Sequence, residues 1–202
     1  MKIGVVGANG TLGRAVVQAL QSRHEIVAVG RSHGQYNVDI VSRESIERLY
    51  ADVKSFDALV CAAGEARFGP LERLADEDFQ VSLSSKLMGQ VNLVRLGLRH
   101  AADGGSFTLT SGVLSIEPVP GGAAISLVNA GVEAFGRAAA LEMPRNLRIN
   151  VVCPPWLSET LTAMGRDPSG GLPAAKVARA YVESVEGRAN GEILDARRMA
   201  EM

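Results

Sequence analysis

Cysteine, histidine and aromatic side chains are scarce in this 202-residue chain, which has two Cys, three His and 4% Phe, Trp and Tyr together. A disulfide framework or a zinc-type ligand cluster needs more such residues at closer spacing than Cys61 and Cys153, or His24, His33 and His100, provide. No metal is expected, and both thiols read as small, reduced core residues. An excess of either charge is missing too. With 21 Lys and Arg against 22 Asp and Glu, a formal charge of -1 and basic residues scattered along the chain, there is no electrostatic case for nucleic acid. No stretch approaches the roughly 20 apolar residues of a membrane span. The opening MKIGVVGANG enters a short strand and a glycine loop without the apolar region of a secretory signal. The expectations are no nucleic-acid partner, no membrane and a cytoplasmic location.

What is present is a 47% hydrophobic, 21% charged sequence, enough for one well-buried core and a single domain over 1–202. Short apolar runs alternate with longer segments of helical period. The pattern predicts strands near 2–6, 25–29, 36–39, 57–62, 105–110, 147–153 and 191–195, and helices near 11–22, 43–53, 76–101, 123–143 and 173–185. This is the α/β alternation of a seven-stranded, parallel, doubly wound sheet with helices on both faces. The helix over 76–101 carries an apolar stripe from Phe79 through Leu83, Leu87, Val91 and Val94 to Leu98. The next is rich in small residues (Ala130, Gly131, Ala134, Ala138), suited to close packing on the sheet or on a second subunit. The stretch GRDPSGGLP, 165–173, has the composition of a flexible loop.

The first strand runs straight into GANGTLG, which sets Gly7, Gly10 and Gly13 at a spacing of three where a helix begins. Glycine suits each place. The backbone must turn sharply, a pyrophosphate must approach the amides, and the helix must pack tightly on the strand. The helix start then offers free N–H groups and a favourable dipole to phosphate, with Leu12 in the same turn and Asn9 and Thr11 as side-chain donors. The strand-loop-helix context makes this a Rossmann-type nucleotide site. A nucleotide fold of this kind that prefers NAD places a carboxylate at the end of the second strand. Here the sequence reads VAVGRS, so Arg31 and Ser32 stand where that acid would repel a 2′-phosphate. NADP is expected over NAD, unless Arg31 is simply a solvated surface residue.

These residues resemble the short-chain dehydrogenase/reductase superfamily, and the likeness runs in order along nearly the whole chain. Asp39 and Ile40 in NVDI match the family's adenine-side acid and its neighbour. CAAG, with Ala62, Ala63 and Gly64, is similar to the family's NNAG strand end beside the adenosine ribose. LTSG puts Ser111 at the family's active-site serine. RINVVCPPWL, with Pro154, Trp156 and Leu157, is similar to the segment that borders the nicotinamide, and GEILDA to the last strand. The resemblance implies hydride transfer between NADP(H) and a small carbonyl or alcohol compound, and a homodimer or homotetramer joined through the helices bearing Lys86 and Asn129.

The sequence departs from the family where the chemistry is done. Aligning ISLVNAGVEAF with the family's YxxxKAAxxxF puts Ile125 at the tyrosine that exchanges the proton and Asn129 at the lysine that binds the nicotinamide ribose. Lys86 in turn occupies the place of the family's asparagine, so lysine and asparagine have changed places. Pro155 replaces a glycine beside the nicotinamide. Tyr36, Tyr50 and Tyr181 fall far from the site in sequence and read as structural. Lys86 either reaches the nicotinamide ribose or a substrate anion, with Asn129 and Ser111 as partners, or lies on a solvated helix face. Two functions remain open: an oxidoreductase using Ser111, Lys86 or water for the proton, and a noncatalytic NADP(H)-binding sensor or structural subunit.

Overall fold

The computed structural model describes residues 1–200, and within them seven strands form one parallel sheet in the order β3-β2-β1-β4-β5-β6-β7. The strands are β1 (Lys2–Val6), β2 (Glu25–Gly30), β3 (Tyr36–Asn37), β4 (Phe56–Cys61), β5 (Ala101–Thr110), β6 (Arg148–Cys153) and β7 (Ile193–Asp195). The principal helices are α1 (Thr11–Leu20), α2 (Arg43–Val53), α3 (Asp76–Ser82), α4 (Gln90–Gly97), α5 (Ala123–Ala140), α6 (Ser158–Ala163) and α7 (Ala174–Glu186). The order reverses between β1 and β4, and a crevice opens at the carboxyl ends of such strands. The expected seven-stranded doubly wound fold is the one observed.

Strand alternation sends successive side chains to two cores. Val27, Ile46, Leu93, Phe107 and Leu109 pack on one face, while Ile3, Val5, Val16, Val60 and Tyr181 pack on the other. On the second face β5 carries hydroxyls. Thr110 Oγ1 donates to the Cys61 carbonyl at 2.5 Å and meets the Tyr181 hydroxyl at 2.7 Å, and Thr108 Oγ1 meets Ser184 Oγ at 2.7 Å. The small residues of α5 serve close approach within the chain. A Cβ on Gly136 would stand 2.4 Å from Val151, and one on Gly131 3.1 Å from Leu87.

Several boundaries differ from the sequence expectation. The helix expected over 76–101 is three pieces, because a π-helical turn (Leu83–Gly89) separates α3 from α4. Its end also falls earlier. Gly97 packs under Tyr50, whose hydroxyl lies 2.6 Å from where a Cβ would be, and β5 already begins at Ala101. The strands expected over 36–39 and 191–195 shorten to Tyr36–Asn37 and Ile193–Asp195, the latter because Gly191 turns at φ 80°. The 165–173 stretch contains a single 3-10 turn (Pro168–Gly170), in which Asp167 accepts from Ser169 N at 2.9 Å. Before it stands α6, which was not expected. No helix among the described residues is long and apolar enough to cross a membrane, and they contain no cluster of three or more His, Cys, Asp or Glu suited to a metal.

Replacing Tyr181 by Phe removes one buried hydroxyl from the Thr110 pair and leaves the threonine its bond to Cys61. The unfolding free energy should fall by about 1 kcal/mol in urea titration, with an unchanged denaturant slope.

Candidate active site

The glycine loop is built by close approach. Gly7 sits at φ 85°, in the left-handed region that disfavours a side chain, and a Cβ there would lie 2.7 Å from the Ala62 carbonyl oxygen. A Cβ on Gly13 would fall 1.9 Å from the Gly7 carbonyl oxygen, so α1 rests directly on the loop. Gly10 caps α1 without a side chain, and its first turn has no acid. The helix start therefore keeps its positive end and its amides for an anion. These features fit a pyrophosphate.

Beside the loop, the ends of β1, β2 and β4 enclose a cavity of about 410 Å³ lined by six expected residues: Gly7, Arg31, Asp39, Ile40, Ala63 and Gly64. Arg31 is exposed, and it takes part in none of the ion pairs among the described residues. Asp39 is fixed by its backbone N–H, which donates to Ser45 Oγ at 2.9 Å, and by Oδ1, which accepts from Val41 N at 3.1 Å. Five expected residues, Asn9, Gly10, Thr11, Gly13 and Ser32, line neither this cavity nor the second one described below. Asn9 has a different occupation: its Nδ2 donates to the His33 carbonyl and ties the glycine loop to the turn that carries Arg31. Ser32 Oγ meets His33 Nδ1 at 3.0 Å within that turn. The lining adds Gly30 of VAVGRS, and Glu65, Ser84 and Ser85, which no motif signalled.

A second cavity of about 340 Å³ shares Ala63 and Gly64 with the first. It gathers Leu12, Ala62, Pro154, Trp156 and Leu157 with Lys86, Ser111, Ile125 and Asn129, so residues far apart in sequence meet there. Trp156 meets Phe68 edge-on at 6.4 Å between ring centroids, and Arg166 lies 5.9 Å over its ring. Ile125 takes its place in an apolar wall with Val113 and Leu114.

Lys86 is the one ionisable side chain in that lining. It is half-buried, which excludes the solvated helix face. Its position comes from the π-helical turn, and that turn is held by buried Gln90. Gln90 Nε2 donates to the carbonyls of Lys86 and Thr110, both at 2.9 Å, and its Oε1 accepts from Thr110 N at 2.8 Å. Lys86 Nζ donates to the Ser111 carbonyl at 3.3 Å and joins no ion pair among the described residues. Burial lowers its pKa below the ordinary lysine value, since leaving water disfavours the charged form. Asn129, also buried, donates weakly from Nδ2 to the Gly112 carbonyl at 3.4 Å, while its Oδ1 has no partner. The expected Lys86, Asn129 and Ser111 group is thus assembled, though without a direct bond from Lys86 to Asn129 or to the serine hydroxyl.

The Ser111 hydroxyl is engaged elsewhere. It donates to Glu133 Oε1 at 2.9 Å, and Ser115 Oγ donates to the same oxygen at 2.6 Å. Glu133 is 5% exposed and lies outside the cavity lining. Ser111 continues the alternation of β5, which places it with Leu109 on the α5 side, so its proton is held by a carboxylate behind the cavity. Sequence reasoning missed Glu133. The signal was there: it follows Ile125 and Asn129 at four-residue steps on one face of α5.

No tyrosine lines the second cavity. Tyr50 donates to the Leu93 carbonyl at 2.5 Å, Tyr181 lies in the opposite core, and burial pushes both phenols above the usual range. Burial likewise raises the Cys61 and Cys153 thiols to about 11, so both stay neutral.

With this geometry in hand, comparison with known proteins finds a family model described as enoyl-(acyl carrier protein) reductase matching residues 5–188. Carbonyl reductase family member 4 of Danio rerio is 26% identical over 181 residues, 79% of this chain and 76% of that protein. The 3-oxoacyl-[acyl-carrier-protein] reductase of Homo sapiens is 25% identical over 180 residues, 78% of this chain and 76% of its own. Among solved structures, the protein lin1944 from Listeria innocua superposes with a TM-score of 0.93 at 45% identity, covering 96% of this chain and 98% of that one. A small-chain dehydrogenase in complex with NADPH shares the fold at a TM-score of 0.85 and 24% identity, covering 98% of each chain.

Replacing Glu133 by Ala leaves two buried or half-buried serine hydroxyls without the carboxyl oxygen they share. Stability should drop by about 3 kcal/mol in chemical denaturation, and by clearly less for Glu133→Gln, which keeps one acceptor oxygen.

Proposed function

We propose that this chain, which belongs to the short-chain dehydrogenase/reductase superfamily, binds NADP(H) in the cleft formed by the two adjoining cavities and acts as an oxidoreductase on a small carbonyl or alcohol compound. The observation that carries the cofactor choice is Arg31. It stands at the end of β2, lining the first cavity and joining no ion pair among the described residues, with glycine rather than a carboxylate before it. A guanidinium there suits the 2′-phosphate that distinguishes NADP from NAD.

When bound, the nicotinamide supplies or accepts a hydride at the carbon that is reduced or oxidised. The chain's task is to manage the proton on the substrate oxygen. The phenol that does this in the wider family is replaced by Ile125, and the Ser111 proton is held by Glu133. Lys86 is left as the acid of the second cavity. Its ammonium would donate a proton to the substrate oxygen during reduction, and the resulting amine would recover a proton from bulk solvent. The groups facing it are the neutral Cys61 and Cys153 thiols at the ends of β4 and β6, the Ser111 carbonyl at the end of β5 and Asn129 on α5. None of these is a carboxylate that would raise its pKa.

The same absence of a phenol and of a free serine hydroxyl favours a second reading, a nucleotide-binding protein without turnover. Tight NADPH binding with no NADPH oxidation over a broad panel of aldehydes and ketones supports that reading over the enzyme.

Two outcomes test the first reading. Arg31→Ala should weaken NADPH binding about tenfold or more in fluorescence titration and leave NADH nearly unchanged, whereas equal losses for both would contradict a 2′-phosphate role. Carbonyl reduction should decline as pH rises through the lowered Lys86 pKa, because the donating form is the protonated one. Lys86→Arg keeps the charge but holds its proton too tightly, so it should lose that pH limb and about 10²-fold in rate or more.

A further inference from the structure

We infer that the second cavity selects a small aliphatic oxo acid or hydroxy acid, whose carboxylate pairs with Lys86. This rests on the oxidoreductase reading above and adds the class of substrate.

An ammonium taken out of water without a counter-charge is costly, and its energy falls when an anion arrives beside it. Lys86 bears part of that cost, since it is half-buried and joins no ion pair among the described residues. Its stem packs on Gly64, where a Cβ would stand 3.0 Å from the lysine Cδ, and so its ammonium is held inside the cavity mouth. Among the described residues its single polar contact is the Ser111 carbonyl at 3.3 Å. Every other residue of the lining is uncharged at neutral pH. The neighbouring thiols do not supply the charge, since burial holds both as neutral SH groups, with pKa values of about 11. The missing negative charge is therefore left to the ligand.

A second, independent feature says what else the ligand carries. Asn129 is 1% exposed, lines the same cavity and keeps Oδ1 without a hydrogen-bond partner. A buried amide oxygen in this state calls for a donor, and a hydroxyl is the donor an alcohol substrate brings. With Leu12, Pro154 and Leu157 assigned to the nucleotide, Val113, Leu114 and Ile125 are left as the apolar wall that accepts an alkyl chain. One ammonium serves both the carboxylate and the reacting oxygen only when the two are close in the substrate. In 2-oxo and 3-oxo acids the keto and carboxylate oxygens lie side by side and can share it.

The test uses the whole protein saturated with NADPH, which forms nonproductive complexes with hydroxy acids, and reads ligand binding by calorimetry or ligand-observed NMR. The probes are 2-hydroxybutyrate, 3-hydroxybutyrate, butyrate and butan-2-ol. The hydroxy acids should bind at least about tenfold tighter than butan-2-ol. Lys86→Met and Lys86→Gln should each remove that advantage while changing NADPH affinity by less than about threefold. Asn129→Leu should weaken the hydroxy acids and leave butyrate unchanged. Equal binding of acid and alcohol overturns the inference, as does acid binding that survives both lysine substitutions. A loss of NADPH affinity in both lysine variants places Lys86 on the nucleotide instead, and also overturns it. Failure of the wild type to bind NADPH in the preceding titration sinks the nucleotide reading itself, a result obtained before any acid is added.

Discussion

The Gly7 carbonyl stands where a Cβ of residue 13 would be, and the rest of the cleft depends on that approach. Because α1 rests directly on the loop after β1, its start points over the carboxyl ends of β1 and β4. With Gly7 itself packed on the Ala62 carbonyl, the loop and the strand end of β4 are held together. Both cavities open on these two elements and share Ala63 and Gly64. Any side chain at position 7 or 13 would push the helix off the strand and widen the floor on which a pyrophosphate would lie.

A second constraint acts at the other end of the cleft. The π-helical turn between α3 and α4 aims Lys86 inward, and Gln90 ties that turn to the end of β5 through two hydrogen bonds to Thr110 and one to the Lys86 carbonyl. The cation of the cavity thus comes from the π-helical turn rather than from α5. On α5, meanwhile, Asn129 presents an unpartnered oxygen and Glu133 draws the Ser111 proton away from the cavity. The second cavity is left with one ammonium and no tyrosine in its lining.

Much of this was legible in the sequence for identifiable reasons. Parallel strands buried on both faces appear as short apolar runs, and close backbone approach can be met only by glycine, so β1, the loop and α1 were readable from residues alone. What escaped notice depends on contacts between distant segments. A helix with a π-helical turn keeps an apolar stripe of helical period, so the break at Leu83–Gly89 left no mark, and the start of β5 at Ala101 is seen only in its pairing with Phe56 of β4. Ser111 was found at its strand end, but the direction of its hydroxyl is set by strand alternation together with Glu133 on α5. Asn9 likewise looked like a phosphate donor until the His33 carbonyl from the next loop claimed it.

The central claim is that a nicotinamide lies in the second cavity with Lys86 as the charged group beside its reactive carbon. A crystal structure of the NADPH complex tests it most directly. The account predicts the 2′-phosphate on Arg31, the pyrophosphate at the start of α1, and the reactive carbon facing a space bounded by Lys86, Asn129 and Ile125. A nicotinamide excluded from that space by Ile125, Pro155 or Trp156, with Lys86 turned away from it, would contradict the account.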